Sequence, residues 1–529
     1  MKAICVLYEG RHGNEMVPDT FFAAGNFPKS EKTVFFGIEG KEYPQLPPDI
    51  QVVYKSSWTE KNLMEELSRV SLGYDFIYYA WADCPFLDPE LAASLAERHI
   101  RYGAEYSYAD GWPYGFAPEL LAHETAGILA KFGDEAKPVE RSTLFDLIQK
   151  DINAFDIETE ISPVDLRPYR LSFTADSKRN KLLISRFRET VKPSRPGGFI
   201  SVSGAEQFIN EKPMLLRTLP AFFNIQVSGG CPQACSFCPW PVYGGTDITA
   251  RKDFMTKEKF ALLLDKIVDF AGDGVIDLSL WGELSLHPEK MELIQMVLSR
   301  PALSLVIETS GIGWKIDELE ALARYASGAV PGRNQAACGF TAPLSWIVSL
   351  DAFDPGRYKE IRGPGYSEAR SCAKTLFSLF PRDTYVQAVR VKGFEDDIEH
   401  FYRSWKGEDL PPEVSAAGRN DGSHIIIQKY DDFAGALPKM QASDLSPVRR
   451  RPCWHIQRDM NILLDGTVPC CREDLAALKG KGDKPAWGNA FSEDLSLIWE
   501  RGADIYKEHC QCEYKGICGN CDEYYTYNF

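Results

Sequence analysis

The residues best able to do chemistry in this chain are cysteines, and they are clustered. Gly229-Gly230-Cys231 runs on through Cys235 to Cys238, a Cys-x3-Cys-x2-Cys spacing directly after an apolar, strand-like run. Three thiolates so spaced can hold three irons of a [4Fe–4S] cube and leave the fourth iron open to a chelating ligand. Four-Cys ferredoxin spacing would instead close the cluster. A zinc knuckle, or three unrelated thiols, is the plainer reading of the same residues.

A second group lies near the C-terminus: Cys453, Gly466-Thr-Val-Pro-Cys470-Cys471, Cys510-Gln-Cys512 and Cys518-Gly-Asn-Cys521. Its last Cys-x2-Cys suits a four-thiolate zinc site as well as iron and sulfur. Cys5, Cys84, Cys338 and Cys372 stand alone and read as buried thiols. The start, MKAICVLYEG, reads as a first β-strand and lacks a signal peptide's long apolar region. A cytoplasmic protein is therefore expected. In a reducing compartment, the clustering of most of the 14 cysteines points to metal or iron–sulfur binding rather than to disulfides.

Two runs of secondary structure must position these groups. In residues 1–195, strands are expected at Ala3–Tyr8, Thr33–Ile38, Val52–Tyr54, Phe76–Ala80 and Glu105–Tyr108. Helices are expected at Glu60–Val70 and at Pro89–Tyr102, the latter capped by Asp88. This is a Rossmann-like α/β pattern. Residues 196–218 follow the Pro- and Gly-rich KPSRPGG and read as a linker. From 219 to 440 six strands alternate with five helical segments, too few for an eight-fold barrel, so a partial (β/α)6 barrel is expected. The insertion Ser327–Ser345 is long for a loop and reads as a lid or a disordered tip. Residues 441–529 show little regular pattern. Metal rather than a core of their own is expected to hold them together.

Composition narrows the partners. The 529 residues are 44% hydrophobic and 25% charged, ordinary for a globular chain with more than one core. With 59 Lys and Arg against 75 Asp and Glu the net charge is −16, so nucleic acid and anionic membrane surfaces are not expected partners. No apolar run is long enough to span a bilayer.

The first cysteine motif and the strand-end segments downstream of it resemble the radical S-adenosylmethionine (SAM) superfamily. That resemblance implies that Cys231, Cys235 and Cys238 hold the SAM-binding [4Fe–4S] cluster. Phe237 would lie by the adenine. In Trp281-Gly282-Glu283, Gly282 and Glu283 would take the SAM ammonium side, with Trp281 where the family usually has a first glycine. Ser310, in Glu308-Thr309-Ser310-Gly311, would sit by the ribose, Ser349 by the ribose or carboxylate, and Arg362 by the carboxylate.

The C-terminal set is similar to the SPASM/twitch extension of such enzymes. It implies one auxiliary [4Fe–4S] cluster on Cys453, Cys471, Cys518 and Cys521, with Cys470, Cys510 and Cys512 available for part of a second. The segments around Asp83, Trp112–Glu119 and Arg170–Asp176 resemble cytidylyltransferase-like proteins, in which two acidic residues hold Mg²⁺. Asp83 matches the first. Thr174 stands in register with the second, and Asp176 is displaced by two. Glu9–Asn14 replaces the glycine-rich phosphate loop, so a degenerate domain is expected. The whole order resembles the spiro-SPASM family. It implies reductive cleavage of SAM and hydrogen abstraction from a peptide or protein, fed by an electron donor such as flavodoxin or ferredoxin. Radical modification of a sugar or nucleotide-sugar, and a non-catalytic nucleotide-binding scaffold with structural zinc, are the alternatives.

Overall fold

A computed structural model describes residues 2–9, 29–43, 46–192, 200–244, 247–328, 343–408, 424–475 and 486–526. The chain divides into two compact units, Met1–Leu216 and Arg217–Phe529.

The first unit is a seven-stranded sheet. Its strands are β1 (Ala3–Tyr8), β2 (Lys32–Ile38), β3 (Gln51–Lys55), β4 (Phe76–Trp81), β5 (Tyr106–Asp110), β6 (Glu119–Ala122) and β7 (Ile157–Ile161), in the order β3-β2-β1-β4-β6-β5-β7. All pairs are parallel except those made by β6. β1 and β4 are buried along their whole length, which is why they read as unbroken apolar runs rather than alternating ones. The helix Pro89–Tyr102 begins where expected: Asp88 Oδ1 accepts from the backbone N–H of Glu90 and Leu91 at 2.9 and 3.2 Å.

The other Asp88 oxygen accepts from Val202 N, at the start of a helix spanning Val202–Glu211. This helix lies inside the stretch read as a linker. Its Ala205, Phe208 and Ile209 bury beside Phe116, Phe173 and Phe187. The Pro- and Gly-rich residues 193–199 fall outside the described residues, as do Gly10–Asn14, Cys338 and most of the 327–345 insertion.

In the second unit β8 (Phe222–Ile225), β9 (Gly274–Asp277), β10 (Leu303–Thr309), β11 (Leu344–Ser349), β12 (Thr384–Arg390) and β13 (Ile425–Lys429) follow one another in a parallel sheet. Each of the five intervals between them contains at least one helix, the partial barrel that the sequence pattern implies.

A seventh parallel strand, β14 (Asp459–Ile462), pairs with β8 at the other edge. It comes from the segment for which metal rather than a core of its own is expected, and that segment shares the core of the barrel. Val468, Trp487, Leu495, Ile498, Trp499 and Tyr506 bury in the same apolar cluster as the barrel. Arg217 stacks on the Trp499 ring at 3.6 Å and donates to the carbonyls of Ile456 and Trp499. The apolar positions are too widely spaced along the sequence to show a period, because they pack on the barrel as well as on one another, as the Trp487 and Trp499 rings do at 6.1 Å.

Candidate active site and cysteine centres

Six neighbouring strands each bring one polar side chain to the carboxyl end of the barrel sheet. Asn461 on β14 is in register with Asn224 on β8, and Asn224 with Asp277 on β9. Asp277 faces Val306, and Glu308 lies two residues further along β10 on the same side. Glu308 faces Ile347, two before Ser349 on β11, and Ser349 is in register with Gln387 on β12. Asn224, Asp277, Glu308, Ser349 and Gln387 line one cavity of about 250 Å³. The cavity also receives Cys231, Cys235 and Cys238 from the loop after β8, with Phe237, Gly282, Glu283, Ser310, Asp351 and Arg362. Ligands bind at this end of parallel sheets, where loops are free to vary.

The loop after β8 is tightly built. Gln233 donates to the Tyr358 hydroxyl at 2.9 Å and accepts from Arg362 Nε at 3.0 Å. A Cβ on Gly230 would lie 2.5 Å from the Arg251 carbonyl oxygen, and one on Gly282 only 1.9 Å from that of Ser228. Trp281 has φ +49°, the left-handed region that favours glycine, and its ring lies 6.4 Å from that of Trp240 and 5.5 Å from that of Phe433. The glycine missing from the sequence motif is thus missing at a position whose backbone suits one.

Glu283 is 3% exposed, and its carboxylate accepts from the Thr309 hydroxyl and from Ser310 N, each at 2.7 Å. Burial raises its pKa, while these donors and Ser285 oppose the rise. Arg362 is buried and ion-paired with Asp351, whose Oδ1 also accepts from Val389 N at 2.7 Å. The Arg362 guanidinium lies 5.8 Å from the centre of the Phe237 ring. Ser349 Oγ and Gln387 Nε2 both donate to Glu308, at 3.0 and 2.6 Å.

Burial pushes the Cys231 thiol up to about 12 and raises Cys235 and Cys238 as well. A metal reverses that ordering, because coordination takes the thiolate. Three soft donors, an acidic side chain and a cation around one cavity fit an iron–sulfur cluster together with a zwitterionic ligand.

Cys453, Cys471, Cys518 and Cys521 line a separate small cavity of about 20 Å³, with Asn461, Arg472, Glu473, His509 and Glu523. Backbone N–H groups of Glu473 and Glu523 donate to the sulfurs of Cys471 and Cys521 at 3.1 and 3.3 Å. Cys470 is buried and its thiol approaches Asp474, whereas Cys510 and Cys512 do not line this cavity. Among the described residues no three cysteine sulfurs lie mutually within 4.8 Å. Four thiols around one cavity suit a zinc ion as well as an iron–sulfur cluster. Arg472 lines both cavities.

In the first unit, Asp83 and Asp176 converge on one guanidinium. Arg141 is ion-paired with Asp83 and lies 2.9 Å from Asp176, with the rings of Trp81 and Tyr114 at 4.4 and 5.3 Å. Thr174, the residue in register, donates to Asp176 at 2.8 Å. Asp83 and Asp176 thus share one cation, and the Arg141 guanidinium lies between them.

Asn224, Gln233, Asp277, Gln387 and Lys429 were not anticipated from the sequence. The signal was there for three of them: Asn224, Asp277 and Gln387 are polar residues within otherwise apolar strand runs.

Residues 225–404 match the Radical SAM superfamily. An uncharacterized protein of Treponema pallidum (strain Nichols) is 36% identical over 395 residues, which cover 73% of this chain and 99% of that protein. Among solved structures, Streptococcus suis SuiB bound to S-adenosylmethionine is similar at 14% identity, over 61% of this chain and 79% of its own, with a TM-score of 0.40. A cytidylyltransferase from Leptospira borgpetersenii serovar Hardjo-bovis is 12% identical over 41% of this chain and 97% of its own, with a TM-score of 0.33. No described helix is long and apolar enough to cross a membrane.

Proposed function

The chain belongs to the radical SAM superfamily, in one family with the Treponema pallidum relative, and from that premise we propose that it binds a [4Fe–4S] cluster and SAM in the 250 Å³ cavity and uses them to abstract hydrogen from a peptide or protein. The observation that carries this reading is the convergence of Cys231, Cys235, Cys238, Glu283 and Arg362 on that one cavity. A reduced cluster bound there would supply the one-electron chemistry by which SAM is cleaved reductively and hydrogen is taken from an unactivated carbon.

The chain's own side chains do the binding. The three thiolates of Cys231, Cys235 and Cys238 would hold the cluster. Glu283, kept in place by Thr309 and Ser310, accepts from the SAM ammonium. Arg362, fixed by Asp351 and Gln233, faces the SAM carboxylate. Phe237 provides an apolar face for adenine, and Ser310 and Ser349 provide hydroxyls by the ribose.

An auxiliary [4Fe–4S] cluster on Cys453, Cys471, Cys518 and Cys521 completes the proposal, and the convergence of these four thiols on one small cavity supports it. A small electron carrier, such as flavodoxin or ferredoxin, supplies the reducing electron in the cell.

The test is anaerobic reconstitution followed by SAM and dithionite. Wild-type protein should carry about eight irons per chain and release 5′-deoxyadenosine. Cys235→Ala should release none. Zinc without labile sulfide in the wild-type protein would overturn the reading in favour of a structural scaffold.

A further inference from the structure

The cavity contains more acid than its cations neutralise. Arg362 is committed to Asp351. Arg472 lies 3.1, 3.6 and 3.8 Å from Glu473, Glu523 and Asp431. Lys429 is ion-paired with Asp522 and Glu523. Asp277 and Glu308 also line the cavity, and among the described residues neither has an ion-pair partner.

These two acids are diagonal neighbours on adjacent strands, on the face that carries the polar stripe. Beside them stands Gln387, 2% exposed. Its Nε2 is spent on Glu308 and Ser349, and its Oε1 is buried without a hydrogen-bond partner. A buried acceptor without a donor costs about 1–3 kcal/mol, so it marks a place where a ligand's N–H or O–H belongs. Burial, with Glu308 adding to it, raises Asp277 to about 7, although hydrogen bonds from Ser279 and the charge of Arg472 oppose the rise.

We infer that Asp277, Glu308 and Gln387 Oε1 form a subsite for a primary ammonium group of the substrate. The wall offers acceptors and negative charge. An ammonium brings three donors and one positive charge, whereas a hydroxyl brings a single donor and a carboxylate would be repelled. The inference rests on the radical SAM reading above and adds the substrate class: a peptide side chain of lysine type.

The experiment uses reconstituted holoenzyme with SAM and three probes, N-acetyl-lysine amide, N-acetyl-norleucine amide and N-acetyl-glutamate amide, followed by saturation-transfer NMR. The lysine probe should bind at least tenfold more tightly than either other. Asp277→Asn and Glu308→Gln should each reduce that preference at least tenfold. Equal binding of the three probes to wild-type holoenzyme overturns the subsite. So does a finding that the two variants retain the preference, or that they weaken SAM binding instead, which would assign these acids to SAM. Wild-type protein that assembles no SAM-responsive cluster overturns the parent reading, and the cluster's electron paramagnetic resonance signal separates that failure from failure of the subsite.

Discussion

Asn224 Nδ2 donates to Asn461 Oδ1 at 2.9 Å, joining the first barrel strand to one that lies 237 residues later in the chain. The C-terminal region is therefore part of the barrel sheet and not an appendage. A chain ending at residue 440 loses β14, bares the edge of β8 and uncovers the apolar surface under Trp487 and Trp499. Such a chain should aggregate on expression. Asn461→Ala in the full chain leaves a buried donor unpaired and should cost about 2 kcal/mol in urea unfolding. A soluble, cooperatively unfolding 1–440 fragment would contradict this arrangement.

Arg141 sits between Asp83 and Asp176, with side chains 20%, 11% and 9% exposed. Removing it leaves two nearly buried carboxylates facing each other. Arg141→Ala should destabilise the chain by about 3 kcal/mol. Lysine at this position should recover only part of the loss, since a single ammonium cannot fork to both acids as a guanidinium does. Chemical denaturation of the three proteins measures it. Equal stability of Arg141→Ala and wild type would mean that the triad contributes nothing.

Strand and helix positions in both units followed from apolar runs and caps, and the Asp88 cap reads the same in sequence and structure. The cysteine sets were legible because spacing along the chain reports directly on a local loop. What escaped were features set by distant pairing. β14 is four residues long and has no partner nearby in sequence. The short β6 is antiparallel to its neighbours, and no local period announces that. Arg141 lies 58 residues from Asp83, so only folding shows that they meet.

Two buried carboxyls give the apo-chain a pH signature. Burial raises Glu119 to about 7 against the hydrogen bond from Tyr106, and burial with Glu308 raises Asp277 to about 7. Unfolded, such groups titrate near about 4. Between these values the folded chain binds more protons than the unfolded one, so these groups make stability fall as pH rises through the window. Their contribution levels off above about 7. Glu119→Gln and Asp277→Asn should each flatten the profile relative to wild type, by roughly 1–3 kcal/mol across the window. Urea midpoints collected at several pH values test it, and variant profiles parallel to the wild type would refute it.

Cys518 lines the small C-terminal cavity and not the one that holds Cys231, Cys235 and Cys238. Cys518→Ala should therefore lower the iron content from about eight to about four per chain, while 5′-deoxyadenosine release without substrate persists at least in part. Iron analysis and product chromatography on one preparation decide the matter. Loss of deoxyadenosine in step with the iron would mean that the two centres do not assemble independently.

Gly282 stands where no other residue fits. An added Cβ would lie 1.9 Å from the Ser228 carbonyl oxygen and 3.4 Å from that of Gly230, both backbone atoms of the segment leading to Cys231. Neither can swing aside as a side chain would, so Gly282→Ala must push the cysteine loop away from Glu283. The overpacking itself should cost about 1–3 kcal/mol. The functional loss should exceed what that cost implies, because the thiols and Glu283 must act on one ligand. SAM affinity should fall at least tenfold, read from the change that SAM produces in the cluster's electron paramagnetic resonance spectrum. Tight SAM binding by Gly282→Ala would show that the close approach of these two backbone segments is not what aligns the site.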